Sequence, residues 1–138
     1  MLSHEETVEL HAKKHELVEA DRFKDRNYVH VHYLIHRKAY EKAMEFTEDK
    51  KVLDLGCNTG YGSHIIHPSC REIVGVDVSE EAIRAARDSY GKEGIEFQVI
   101  DGKTLPFDDD SFDLVISFQV IEHIIKYEEY LNEIKRVL

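Results

Sequence analysis

The sequence is short of three things, and each shortage excludes a class of protein. It has two cysteines, Cys57 and Cys70, whose spacing matches no metal-ligand pattern. Two such thiols make no disulfide framework of the kind small secreted domains carry, so a reduced, cytoplasmic environment is expected. No apolar run approaches the roughly 20 residues that cross a bilayer. The opening Met-Leu-Ser-His-Glu-Glu is too polar and acidic for a secretory signal. Positive charge is scarce: 18 Lys and Arg stand against 28 Asp and Glu, a net charge of −10. That balance favours solubility and argues against a nucleic-acid or membrane surface, both of which need a cationic face. Internal repeats, low-complexity tracts and linkers are also missing.

What is there fits one domain with a modest core, 138 residues of which 42% are apolar. Residues 3–20 read as a polar helix in which Ser3 and Glu6 can form a capping box. Residues 28–46 read as a second helix, with Val31, Leu34, Ile35, Ala39, Ala43 and Phe46 near helical spacing. The pattern then changes. Strands are expected at 52–55, 73–77, 95–100 and 112–118. Helices are expected at 61–67, stopped by Pro68, at 80–90, capped by Ser79 and ended by Gly91, and at 127–138. Strands alternating with helices imply right-handed βαβ units and a mainly parallel sheet, an α/β fold of the doubly wound, Rossmann-like kind. The division expected is an N-terminal helical segment at 1–48 and a ligand-binding half-domain at 49–138. Ligands of such sheets bind beyond the carboxyl ends of the strands.

The most telling segment is Val-Leu-Asp-Leu-Gly-Cys-Asn-Thr-Gly-Tyr-Gly-Ser at residues 52–63. A strand carrying an acid runs into a glycine-rich turn, which lets a backbone come close to a nucleotide-like ligand. Spacing separates two ligands. A dinucleotide fingerprint starting at Gly56 needs glycine at positions 58 and 61, where Asn58 and Tyr61 stand. An acidic-x-Gly-x-Gly-x-Gly pattern starting at Asp54 finds Gly56 and Gly60 and departs only at Asn58. Asparagine tolerates left-handed backbone angles better than other non-glycine residues, so the turn is expected to survive. Asp77 closes the next strand, 21 positions after Gly56. Nucleotide-binding sheets place a carboxylate there for ribose hydroxyls. The alternatives are an accidental glycine turn and, for Asp77, a helix N-terminal acid.

The pattern at Asp54 resembles motif I of class I S-adenosylmethionine (SAM) dependent methyltransferases, of the type 11 kind. Further segments follow in the family's order: Asp77 with Val78, Asp101-Gly102 before Lys-Thr-Leu-Pro-Phe, and Ser117-Phe118-Gln119 leading to Glu122-His123. The resemblance covers roughly residues 50–138. It implies SAM as cofactor and S-adenosylhomocysteine as product. Carried over by position, it implies Asp54, Gly56, Asn58 and Gly60 at the methionine end, and Asp77 and Val78 at the ribose. Asp101 and the Gly102 N–H would meet adenine, and Ser117, Phe118 and Gln119 would line the methionine side toward the acceptor. His123 and His36 are the candidates for a catalytic base. The Glu-His pair is mostly structural in the family, and His30, His32 and His36 have surface or packing roles as the alternative. No metal is expected: His11 and His15 share a helix face at ligand spacing, but no third ligand is evident.

Asp21-Arg22-Phe23, residues 36–40 and residues 60–63 look like methyltransferases found beside glycan-building enzymes, so the expected acceptor is a small molecule or glycan. Methyl transfer from a sulfonium is an in-line displacement that rests on alignment, with a base where the nucleophile is oxygen or nitrogen. The family's sheet has the strand order 3-2-1-4-5-7-6. This sequence supplies 3-2-1-4 and lacks 5-7-6, so it reads as C-terminally truncated, with the fourth strand an open apolar edge. A second copy covering that edge in a homodimer, or a non-catalytic SAM-binding or association module, are the alternatives.

Overall fold

The computed structural model describes residues 27–138. The expected helix at 3–20, its Ser3–Glu6 capping box, the His11–His15 pair and the Asp21-Arg22-Phe23 segment lie outside those residues. The described elements are α1 (Asn27–Ala43), β1 (Lys51–Leu55), α2 (Tyr61–Ile66), β2 (Glu72–Asp77), α3 (Glu80–Tyr90), β3 (Glu96–Val99), β4 (Leu114–Ile116) and α4 (Tyr127–Val137). The strands form one parallel sheet in the order β3-β2-β1-β4, as the alternating pattern and the resemblance imply. No helix among the described residues is long and apolar enough to cross a membrane.

Period-two alternation along β1 distributes the core between two faces. Val52 packs with Ile73, Phe97 and Ile116 under α1, α2 and α3, whose contributions include Tyr40, Ala43, Tyr61, Ile66, Ile83 and Ala86. Leu53 and Leu55 pack with Val74 and Val76 on the other face, against Leu105, Phe112 and Val137. Asp54 shares the α1–α2 face with Val52, so the one acid in this strand is directed into the protein. Gly75, paired with Asp54 in the ladder, is needed for a packing reason: a Cβ there would lie 2.7 Å from the Phe97 ring.

Local chemistry explains the helix ends. Ser79 caps α3, its Oγ accepting the Ala82 N–H at 3.2 Å, and Glu80 and Glu81 occupy the first turn. Gly91 does not supply the left-handed stop. It has φ −61°, and the chain makes one further short turn before Gly94 takes φ 88°. The α-helical part of α1 ends at Ala43, and a 3-10 turn carries it through Phe46. Its inward stripe also differs from the aliphatic one expected. Val31, Leu34 and Ile35 are exposed, whereas Tyr33, Tyr40 and Ala43 join the core, with His36 beside them. That stripe has helical spacing too, but two of its members carry hydroxyls and one an imidazole.

β4 spans three residues, against the longer strand expected at 112–118. Its start is diverted because the Phe112 N–H donates to the Val137 carbonyl at 2.9 Å. Beyond it the chain bends, and Gln119 adopts φ 55°. The same region is latched to α4. Arg136 donates to the carbonyls of Leu105 and Phe107 and to Asp109, at 2.7–2.9 Å. The Asp110 N–H returns a bond to the Arg136 carbonyl at 3.0 Å. The last carbonyls of α4, which a helix leaves unpaired, are thereby satisfied. Among the described residues β4 pairs only with β1, and Ile121, Ile125, Tyr127 and Leu131 are exposed nearby in sequence.

Candidate functional site

The candidate residues converge because the strands are parallel: the Gly56–Gly60 turn follows β1, Asp77 ends β2, Asp101 follows β3, and Ser117–Gln119 follow β4, all at carboxyl ends. Three residues of the turn are left-handed, Gly56 at φ 86°, Asn58 at φ 49° and Gly60 at φ 79°. Asn58 thus adopts the backbone expected of it, and its Oδ1 accepts the Thr59 N–H at 2.8 Å. Main-chain bonds fasten the turn to β2: the Gly56 and Cys57 N–H groups both donate to the Val76 carbonyl, at 2.8 and 3.0 Å.

Asp77 is the second fastening. Its Oδ2 accepts the Asn58 N–H and its Oδ1 the Ser79 N–H, each at 2.9 Å. Only 5% of the residue is exposed. The carboxylate is therefore held in one orientation between the turn and the start of α3, with lone pairs remaining on both oxygens. Val78 is half-buried beside it.

The glycines serve a different end from ligand approach alone. A Cβ at Gly56 would meet Val120 Cγ2 at 2.4 Å, and one at Gly60 would meet the Phe97 ring at 2.7 Å and Ala86 at 2.9 Å. The absent side chains make room for the protein's own core and for the segment after β4, which closes down on the turn.

Asp54 lies beneath this turn with no exposed surface. Tyr40 donates its hydroxyl to Asp54 Oδ1 at 2.9 Å, and Ser63 donates to Oδ2 at 2.6 Å. Burial pushes the Asp54 carboxyl up to about 6; the bonds from Ser63 and Tyr40 oppose the shift, and the charge of Asp77 adds to it. Sequence reasoning missed both partners. The available signal was the acid itself: a carboxylate inside an apolar strand needs donors from neighbouring elements.

Asp101 is exposed, and its Oδ1 accepts the Lys103 and Thr104 N–H groups at 2.8 and 3.0 Å, bonds that hold its carboxyl below the ordinary range. It thus organises its own loop, in which Gly102 takes φ 73°. The Ser117 hydroxyl is hydrogen-bonded to Tyr130 of α4 at 2.5 Å. The Phe118 ring stands edge-on to Tyr40, with centroids 5.0 Å apart, and to His36 at 6.3 Å. Gln119 is exposed.

The two histidine candidates differ in setting. His36 Nδ1 is hydrogen-bonded to the Tyr61 hydroxyl, and its ring lies among Tyr40, Tyr61 and Phe118. Burial lowers its pKa, with the Phe118 main chain opposing, so the imidazole is neutral near pH 7 and able to take a proton. His123 is exposed in the short turn Ile121–His123. Among the described residues no cluster of histidine, cysteine or acidic groups is arranged to hold a metal.

A parallel sheet of this order, with a left-handed turn and a clamped acid at the carboxyl ends of its two central strands, is the architecture of a Rossmann-like α/β domain. Residues 53–138 match the model of a methyltransferase domain, and the chain belongs to that family. It is 33% identical over 103 residues to a Mycobacterium tuberculosis (strain H37Rv) protein named "Probable S-adenosylmethionine-dependent methyltransferase Rv3030", a match covering 75% of this chain and 37% of that one. The solved YcgJ protein of Bacillus subtilis superposes with a TM-score of 0.68 at 27% identity, over 76% of this chain and 46% of that one. A Haloferax volcanii chain solved with the Trm112 methyltransferase activator superposes with a TM-score of 0.68 at 29% identity, over 95% and 55% of the two chains. The chain thus spans well under two thirds of the length of each of these relatives.

Proposed function

We propose that this chain binds S-adenosylmethionine across the carboxyl ends of β1 to β4 and supports methyl transfer from it to a small-molecule or glycan acceptor, leaving S-adenosylhomocysteine. The observation that carries this reading is the clamped Asp77. A carboxylate fixed by two backbone N–H groups beside a left-handed turn keeps acceptor capacity for a pair of ribose hydroxyls. Its family membership supports the same cofactor. The turn fits SAM better than a dinucleotide, because Asn58 and Tyr61 stand where a dinucleotide fingerprint needs glycine and the acid Asp54 beneath the turn suits a ligand with cationic sulfonium and ammonium groups. When bound, SAM supplies the methyl group on an already activated leaving group.

In this reading Asp77 and Val78 hold the ribose, Asp101 and Gly102 the adenine, and Gly56, Asn58 and Gly60 with Ser117, Phe118 and Gln119 the methionine side. Asp54 acts from below the turn through Tyr40 and Ser63. His36 is preferred to His123 as a base because it stands among Tyr40, Tyr61 and Phe118 at the site, whereas His123 is exposed in the short turn after it. Residues 1–48 form the N-terminal segment and 49–138 the cofactor half. The two unpaired thiols fit a cytoplasmic protein. Adding S-adenosylhomocysteine is expected to raise the melting temperature; an unchanged melting curve at millimolar ligand contradicts the reading.

A second reading, an association module without catalysis, draws on the unpaired side of β4 and the exposed apolar residues that follow it. A second copy, or an activator such as the Haloferax relative has, would cover that edge. Light scattering then gives a dimer for the purified chain, and a monomer that turns over SAM removes this reading.

A further inference from the structure

Tyr40 sits at the junction of three elements whose relative position shapes the site. Its residue is 1% exposed, and its hydroxyl reaches across to Asp54 at the end of β1. Asp54 in turn receives the Ser63 hydroxyl from α2, the helix that leaves the glycine turn. The Tyr40 ring lies flush on the first turn of α2: a Cβ at Gly62 would fall 2.1–2.5 Å from its atoms. Its other side meets Phe118 edge-on, in the segment after β4. One side chain from α1 thus touches the acid before the turn, the helix after it and the chain facing it.

We propose that Tyr40 is a positioning residue for the cofactor site: by holding the Asp54 carboxylate, and through it Ser63, it fixes the turn between β1 and α2 in its ligand-ready shape. This inference rests on the reading of that turn as a SAM site. The direction of the bond is settled by chemistry. Burial and the negative charge of Asp54 both push the Tyr40 hydroxyl well above its ordinary pKa, so it remains a donor throughout the working range. An ionised Asp54 accepts from both Tyr40 and Ser63; a protonated one keeps its hydrogen on one oxygen and competes with one of those donors. The other titratable groups that face Asp54 are Cys57 in the turn, Tyr61 on α2, Cys70 beyond it and Asp77 on β2. None of these is a cation, so the two hydroxyls are the groups that stabilise the charge.

The test is Tyr40→Phe, which removes the hydroxyl and leaves the ring against Gly62 and Phe118. Two quantities are read on the same proteins between pH 5 and 8: the titration of the Asp54 carboxyl by carbon NMR, and SAM affinity by calorimetry. The wild type is expected to titrate Asp54 near pH 6 and to lose SAM affinity as that proton binds. In Tyr40→Phe both midpoints move up together by about one pH unit, the loss of one hydrogen bond to a charged acceptor. Asp54→Asn, which lacks the carboxylate at every pH, is expected to bind SAM as weakly as the protonated wild type and with no such midpoint. Coincident wild-type and Tyr40→Phe affinity profiles overturn the proposal, as does an Asp54→Asn profile with the wild-type midpoint. A wild type that titrates Asp54 normally but binds no SAM at any pH overturns the cofactor reading itself, and this proposal with it.

Discussion

At the scale of single residues, burial decides more than identity. Asp54, Asp77 and Asp101 are all acids at the ends of strands, yet one is sealed in, one is clamped at the surface of the site and one caps its own loop. The sealed one has a measurable signature. A carboxyl whose folded pKa lies near 6, above its ordinary value of 3.8, binds a proton more tightly folded than unfolded. Its contribution to stability is therefore greatest below about pH 4, falls as pH rises to about 6, and is level above. The stability difference between wild type and Asp54→Asn, from denaturant unfolding, is expected to shift against the wild type by up to about 3 kcal/mol between pH 4 and pH 7. Gly56→Ala makes a second residue-scale case. It places a Cβ against Val120 at a left-handed position and should cost about 2 kcal/mol or more of stability by the same measurement. A loss below about 0.5 kcal/mol would show that Val120 gives way freely.

At the scale of elements, the parts legible in the sequence are those whose signals are local. The apolar runs of β1 and β2, the Ser79 cap of α3 and the left-handed tolerance of Asn58 each depend on a few adjacent residues. The parts that were not legible depend on distant partners. The bond from Phe112 to Val137 that trims β4 spans the length of α4 and the loop before it. The inward stripe of α1 is written in Tyr33, His36 and Tyr40, which hydropathy counts as polar, and its meaning appears only when Asp54 and Tyr61 come under it. The Arg136 latch is of the same long-range kind. Arg136→Ala removes its bonds to the Leu105 and Phe107 carbonyls and is expected to speed amide exchange at Asp110 and Phe112, while exchange in β2 stays as in the wild type. Unchanged protection at Asp110 would mean that the loop is held by its backbone bonds alone.

At the scale of the whole molecule, the sheet divides labour between its faces. One face buries α1, α2 and α3 and brings Tyr40 and His36 to the carboxyl ends of β1 and β4; the other is held by Leu105, Phe112 and Val137. The candidate site needs only the first four strands, since the turn, Asp77, Asp101 and the segment after β4 all belong to them. Hence the sequence carried the cofactor half of the account clearly and the acceptor half hardly at all. The most direct measurement is a calorimetric titration of SAM into the wild type, Asp77→Ala and His123→Ala. The account predicts a wild-type dissociation constant of about micromolar order, weakened at least about tenfold by Asp77→Ala and little changed by His123→Ala. No heat with the wild type, or a greater loss in His123→Ala than in Asp77→Ala, would contradict it.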